Sequence, residues 1–242
     1  MALLTEAPLV VGTSRPEGLE ALAALPASER VADIIEARLD LAVDPDLQRF
    51  HPACRRLAET GTPVLATIRL VADGGRGTDD PGRLPLYQAA MSAGACAWVD
   101  VEVDSAIAGD VVASARQAGC RVVVSHHDFT ATAGVDALDA IVARAQRLGA
   151  HIVKIATLVD SLEHHDTLLE LLRRRRGQPI SVIGMGAEGR SLRGYLPVVG
   201  SRLAYGFMDE AVAPGQVSAN ELVLRLTADC PAYAAHRKKR AT

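Results

Sequence analysis

The chain has 242 residues, 49% hydrophobic and 23% charged, which is ordinary usage for a soluble globular protein and argues against disorder and against a membrane class. A formal net charge of −3 gives no electrostatic footprint for nucleic acid or anionic lipid, so small-molecule chemistry is the favoured direction. The length suits one domain spanning residues 1–242.

Four cysteines, Cys54, Cys96, Cys120 and Cys230, show no C-x-x-C spacing, so neither a zinc site nor a disulfide framework is expected. The opening MALLTEAPLVVG lacks a cationic leader, and no stretch approaches the roughly 20 apolar residues of a membrane span. A cytoplasmic protein without a metal or cofactor is the expectation.

Short β-branched runs recur along the chain, separated by segments of helical spacing rich in Ala, Leu, Arg and Glu. The predicted strands are Leu9–Thr13, Asp33–Leu39, Val64–Leu70, Trp98–Val103, Arg121–His126, His151–Leu158, Ile180–Gly184 and Leu203–Phe207. Runs such as VVVS and SVIG are apolar throughout, as in parallel strands covered on both faces by crossover helices. A closed (β/α)8 barrel and a doubly wound sheet both fit that period. The polar residues favour the barrel, because ionisable groups gather toward the strand C-termini, where such barrels place their chemistry.

The first turn, VVGTSRPEG, has no dinucleotide fingerprint. In the second run, EARLD spaces Glu36, Arg38 and Asp40 two apart, which predicts one shared strand face suited to hydroxyl groups or to a salt-bridge ladder. TIRLVADGGRG then offers Arg69 at a strand end and Asp73 on a loop whose Gly74 and Gly75 permit close backbone approach. In DVEVD, Asp100 and Glu102 share a face and are candidates to orient a histidine, or members of a buried network.

The fifth run ends in SHHDF, and its two adjacent histidines must point to opposite sides. One of them faces the barrel axis as a candidate acid/base group, and spacing alone leaves open whether this is His126 or His127. Lys154, in HIVKIATLV, either reaches out to water or points inward. In the inward case burial, with cationic neighbours such as Arg38, Arg69 or Arg193, lowers its pKa and makes the amine a nucleophile toward a carbonyl. GMGAEG follows the seventh run and is a poor match to a nucleotide loop. Arg193 is either a carboxylate ligand or a surface charge. AVAPGQVS is a Pro/Gly loop able to act as a lid before a helix capped by Ser218. The basic run His236 to Arg240 is expected to be part of a short solvated tail, residues 231–242.

Together these segments resemble the type I 3-dehydroquinate dehydratases across almost the whole chain. EARLD, TIRLVADGG, SHHDF, VKIA and APGQVS match the family's ordered motifs. The resemblance implies a (β/α)8 barrel in which Lys154 forms an imine with the ketone of 3-dehydroquinate and His127 is the general acid/base. It implies that Asp73 contacts that histidine, that Glu36, Arg38 and Arg69 hold ring hydroxyls, that Arg193 binds the carboxylate and that Gln216 closes the lid. A homodimer is the assembly it suggests.

Three residues depart from the family pattern. Asp73 stands where glutamate is usual, Val212 where the lid carries serine, and Leu192 where serine precedes the arginine. The first two motivate an alternative, a diverged Schiff-base barrel acting on a related cyclic keto acid. A non-catalytic ligand-binding barrel is the other reading, and borohydride trapping separates it from an enzyme.

Overall fold

The structure is a computed structural model, and it describes residues 7–43, 46–76, 79–211 and 215–240. The strands are β1 (Leu9–Ser14), β2 (Ile34–Arg38), β3 (Val64–Thr67), β4 (Trp98–Glu102), β5 (Arg121–Asp128), β6 (Ile152–Leu158), β7 (Ile180–Met185) and β8 (Leu203–Phe207). Between and after them run helices α1 (Leu19–Ala24), α2 (His51–Glu59), α3 (Asp80–Ser92), α4 (Ala108–Ala118) and α5 (Val135–Leu148). The series continues with α6 (Leu162–Arg174), α7 (Gly186–Gly189), α8 (Leu192–Val198), α9 (Ala219–Asp229) and α10 (Pro231–Arg240).

Among the described residues the strands form one sheet in the order β7-β6-β5-β4-β3-β2-β1-β8, with every neighbouring pair parallel. The two end strands meet, so the sheet curls into a nearly closed (β/α)8 barrel. Side chains help to close that seam. Ser181 Oγ donates to Leu203 O at 2.8 Å, Val182 N–H donates to Ser201 Oγ at 2.8 Å, and Arg202 N–H donates to Ile180 O at 2.9 Å. The serines thus pair backbone groups that would otherwise be buried without partners.

Period-2 alternation sorts each strand into two faces. The inward residues Leu9, Val11, Ile34, Leu65, Trp98, Val123, Ile152 and Leu203 form an apolar plug at the lower end of the barrel. Outward residues such as Val10, Ile35, Val122, Val124, Val153 and Ile155 pack in the core that carries the helices. Higher in the barrel the inward face turns polar, with Thr13, Glu36, Thr67, Asp100, Glu102, Ser125 and Lys154 all buried. That switch sets the site at the C-terminal rim. All four cysteines are buried thiols.

Most boundaries that differ from the sequence expectation do so by one residue, and three of the differences bear on the site. β2 ends at Arg38, and Asp40 lies in a 3-10 turn, Leu39–Leu41, so it does not share the strand face of Glu36. The chain leaves β3 after Thr67, where Ile68 O accepts from Arg83 Nε at 2.7 Å and from Tyr87 OH at 3.1 Å. β5 runs on through both histidines to Asp128.

The solvated tail is corrected. Residues 231–240 form α10, whose Tyr233 is fully buried. The helix closes on Asp33, which accepts from Val10 N–H at 2.8 Å, Tyr233 OH at 3.0 Å and Arg240 Nη1 at 2.9 Å. His236 Nε2 lies 3.2 Å away. Burial alone would raise the Asp33 pKa, but His236, the Val10 N–H and Arg240 outweigh it and hold the carboxyl below its usual range. His236, Arg237 and Arg240 of the basic run thus gather on a buried acid, while Lys238 and Lys239 are exposed.

Candidate active site

Inward positions on several strands converge at the rim. β2 supplies Glu36 and Arg38, and the segment after β3 supplies Arg69 and then Asp73. β5 contributes His127 and β6 contributes Lys154. Arg193 comes from α8, and Gln216 from the segment after β8. All eight line one open cavity, together with Thr13, Gly74, Phe129, Ala156, Ile183, Met185 and Tyr205. The eight residues to which the family resemblance gave a role are therefore brought to one place.

Lys154 is 6% exposed. Its Nζ lies 3.2 Å from Asp100 Oδ2 and 4.3 Å from the centroid of the Tyr205 ring. Burial is the main effect lowering its pKa below that of an ordinary lysine, Asp100 opposes it, and Arg69 adds to the lowering. Of the three cationic neighbours expected from sequence, only Arg69 contributes to that lowering. Arg38 is held in a bidentate pair with Asp40 at 2.8 and 2.7 Å. Arg193 is itself pushed down to about 10 by burial.

Behind the lysine runs a chain of alternating charges. Asp100 accepts from Arg69 at 3.0 Å, and Arg69 also donates to Glu102 at 3.0 Å and to Ser125 at 2.8 Å. Glu102 accepts in turn from Arg83, whose other arm reaches Asp80 at 2.6 Å. Asp80 also accepts from Ser105 Oγ at 2.7 Å. Asp100 is fully buried; burial would raise its pKa, but Arg69 and Lys154 drive it far below the carboxylate range.

His127 stands on the inward face of β5. Its side chain is 7% exposed, and its Nδ1 lies 3.6 Å from Asp73 Oδ1, beyond hydrogen-bond distance. The ring stacks on Phe129 with centroids 6.2 Å apart. Burial first, then Arg69 and Lys154, hold its pKa well below that of an ordinary histidine, so it is neutral near pH 7 and can accept a proton. Asp73 is pushed up to about 6, first by burial and then by Glu102.

His126 points the other way, with Nδ1 3.9 Å from Asp104. Neither Asp100 nor Glu102 hydrogen-bonds His127, which corrects one expectation: both carboxylates are engaged by cations, and Asp73 is the acid beside the ring. Gly74 permits this approach, with φ of 80° and its Cα facing the edge of Phe129.

Glu36 accepts from Thr13 Oγ1 at 2.8 Å and Thr67 Oγ1 at 2.9 Å, so the hydroxyls aim one of its faces while the residue lines the cavity. Gln216 is 7% exposed, and its Nε2 lies 3.5 Å from Thr13 Oγ1. Leu192 is buried in the outer core. Val212, the lid departure, lies outside the described residues. Sequence reasoning missed Asp100 as the partner of the lysine, and it gave Ser125 and Tyr205 no role. Ser125 sits two positions before His127 on the same inward face, a spacing that could have found it.

Among the described residues, no group of three or more His, Cys, Asp or Glu side chains could hold a metal ion, and no helix is long and apolar enough to cross a membrane. A family model described as Type I 3-dehydroquinase matches residues 9–229. The chain belongs to that family. The 3-dehydroquinate dehydratase of Methanothrix thermoacetophila is 36% identical over 193 residues, 79% of each chain. That of Methanococcoides burtonii is 30% identical over 222 residues, covering 90% of this chain and 93% of its own. The crystal structure of 3-dehydroquinate dehydratase from Aquifex aeolicus superposes with a TM-score of 0.80 at 26% identity, across 91% of this chain and 98% of that one. The family thus shares the barrel with this chain across nearly its full length.

Proposed function

We propose that this chain is a hydro-lyase that dehydrates 3-dehydroquinate to 3-dehydroshikimate through an imine on Lys154, with His127 moving the proton. The observation that carries this reading is the pair itself: a buried amine of lowered pKa and a buried neutral imidazole in one cavity at the barrel rim. Named relatives in the family, 3-dehydroquinate dehydratases by description, supply the substrate.

The Lys154 amine adds to the ketone carbon, and loss of the carbonyl oxygen as water leaves a cationic iminium. That cation withdraws electrons from the neighbouring carbon, whose proton passes to His127 as the electron pair forms an enamine. The enamine expels the β-hydroxyl, which leaves as water on taking the proton from the imidazolium. Hydrolysis of the product iminium returns the amine.

The other site residues act by binding. Arg193, buried at the rim, pairs with the substrate carboxylate; Glu36, Arg38 and Arg69 hold or orient ring hydroxyls; and Gln216 covers the ligand. Asp73, the acid beside His127, offers a negative charge to the imidazolium rather than a hydrogen bond. One observation favours a second reading, a related cyclic keto acid as substrate: the 3.6 Å gap between Asp73 and His127, which leaves the histidine without the hydrogen bond that fixes its direction. A single unit over residues 1–242, a homodimer and a cytoplasmic setting go with the family reading, and light scattering on the purified protein tests the dimer.

Mass spectrometry of the intact protein after incubation with 3-dehydroquinate and borohydride decides the main reading, alongside absorbance of the conjugated product. A reduced adduct on Lys154, absent in Lys154→Ala, with rapid product formation is expected. Turnover without any adduct, or undiminished turnover by Lys154→Ala, would overturn it. An adduct without turnover selects the second reading.

A further inference from the structure

Tyr205 lies on the inward face of β8, opposite Val11 of β1, and is 6% exposed. Its hydroxyl is buried and has no hydrogen-bond partner among the described residues. A phenylalanine would fill the same ring volume without leaving a polar group unpaired, so packing alone does not account for the oxygen. The residue lines the cavity that holds Lys154 and His127.

The ring face does separate work. Lys154 Nζ stands 4.3 Å from the ring centroid, with the Asp100 carboxylate at 3.2 Å as its other contact. The negative face of an aromatic ring attracts a cation, most strongly where water is excluded. In an imine sequence the nitrogen is positive as ammonium and as iminium, and neutral as amine, carbinolamine and enamine. The ring therefore favours the charged members at one fixed position. Burial first, then the charges of Asp100 and Glu36, hold the phenol well above its usual pKa, so the hydroxyl keeps its proton and is a donor.

We propose that Tyr205 contacts the substrate of this site, its ring holding the Lys154 nitrogen while that atom is positive and its hydroxyl donating a hydrogen bond to an oxygen of a carbonyl-bearing, polyhydroxylated ligand. The proposal rests on the imine reading given above. A site with such a donor rejects analogues that lack the matching oxygen, because the phenol is then left unpaired in the complex as well.

Tyr205→Phe and Tyr205→Leu separate the two roles. Each is compared with the unaltered protein for kcat and KM on 3-dehydroquinate, for the pH dependence of borohydride trapping, and for thermal midpoint. Tyr205→Phe is expected to trap at the normal rate, to lose about tenfold in kcat/KM, and to melt no lower than the parent. Tyr205→Leu is expected to trap more slowly, with its trapping profile moved to lower pH because a group favouring the cation has gone. Should it fail to fold, Tyr205→Met fills the ring volume and is read the same way.

Unchanged kcat/KM in Tyr205→Phe overturns the hydroxyl contact, and an unchanged trapping profile in the ring-less variant overturns the role of the ring. Absence of an adduct in the unaltered protein is a different result, in which the imine reading fails and this proposal falls with it.

Discussion

Lengthening Asp73 by one methylene tests whether the acid beside His127 limits turnover. Asp73 Oδ1 stands 3.6 Å from His127 Nδ1, roughly 0.4 Å beyond the outer limit of about 3.2 Å for an N–H···O bond. Glutamate adds roughly 1.5 Å of reach, one carbon–carbon bond, enough to close that gap without moving the backbone. A hydrogen bond to a charged partner contributes about 1.5–3 kcal/mol. If about half is felt in the transition state, kcat/KM rises about four- to twelvefold. The assay follows the conjugated product from 3-dehydroquinate at pH values on both sides of about 6, the value to which Asp73 is raised. In the unaltered protein kcat/KM should fall as pH drops through about 6, where Asp73 takes up a proton and the imidazolium loses the negative charge beside it. A folded Asp73→Glu protein with equal or lower kcat/KM would refute the reasoning and show a site adapted to aspartate.

Four further outcomes follow from the same geometry. His127→Ala should still give a borohydride adduct while turnover falls about 10²–10⁴-fold; undiminished turnover would move the proton transfer to another group. Asp73→Asn should raise the thermal midpoint near pH 7 while lowering activity. The folded pKa of Asp73 is raised to about 6, so its contribution to stability is favourable at low pH and lost as pH rises through that value. Asp100→Asn leaves Arg69 and Lys154 buried with less countercharge, and denaturant unfolding should show a loss of about 3–5 kcal/mol. Asp33 is the opposite case to Asp73. Its folded pKa is depressed, so its stabilisation is present above the unfolded value of about 3.9 and is lost as pH falls through the lower folded value. The protection of α10 amides, taken relative to the intrinsic exchange rate at each pH, should then fall below about pH 4, and unchanged protection there would show that Tyr233 packing alone holds the helix.

The sequence made some features of this molecule legible and hid others for definite reasons. The strands were readable because a strand covered on both faces must be apolar at consecutive positions, and VVVS and SVIG meet that requirement. Lys154 and the histidine pair were readable because ionisable groups interrupt those runs, and the choice of His127 over His126 came from the family resemblance. Asp100 was visible as either a partner of the histidine or a member of a buried network, and the barrel shows the network: alternation fixes which face a residue occupies, not which side chain it meets across a closed barrel. Asp40 failed for a related reason, since i, i+4 spacing implies a shared face only if the strand continues, and β2 stops at Arg38. Tyr205 was passed over because an aromatic in an apolar run looks like core, and in part it is. The basic run at the C-terminus looked solvated because its partner, Asp33, lies about 200 positions away, on the order of the whole chain, and only the closure of the barrel brings them together.

The alternating chain from Asp80 to Lys154 also explains how the barrel tolerates so many buried charges. A lysine isolated in an apolar interior would lose its proton and much of its anchoring; one paired with a single carboxylate would be held near its ordinary pKa. Here Asp100 is shared between Lys154 and Arg69, and Arg69 is shared with Glu102, which is shared with Arg83. Each carboxylate's attraction is thus divided between two cations. The lysine receives enough to be held in place at 3.2 Å and too little to cancel its burial, so its pKa stays lowered. Arg83→Met is the variant that probes this division, since Arg83 touches neither Lys154 nor the cavity. With Arg83 gone, Glu102 draws more of Arg69, Asp100 is left more to Lys154, and the lysine pKa should rise. The expected readout is a trapping profile displaced to higher pH with the adduct still on Lys154. A profile that does not move in a folded variant would mean that the chain serves stability alone.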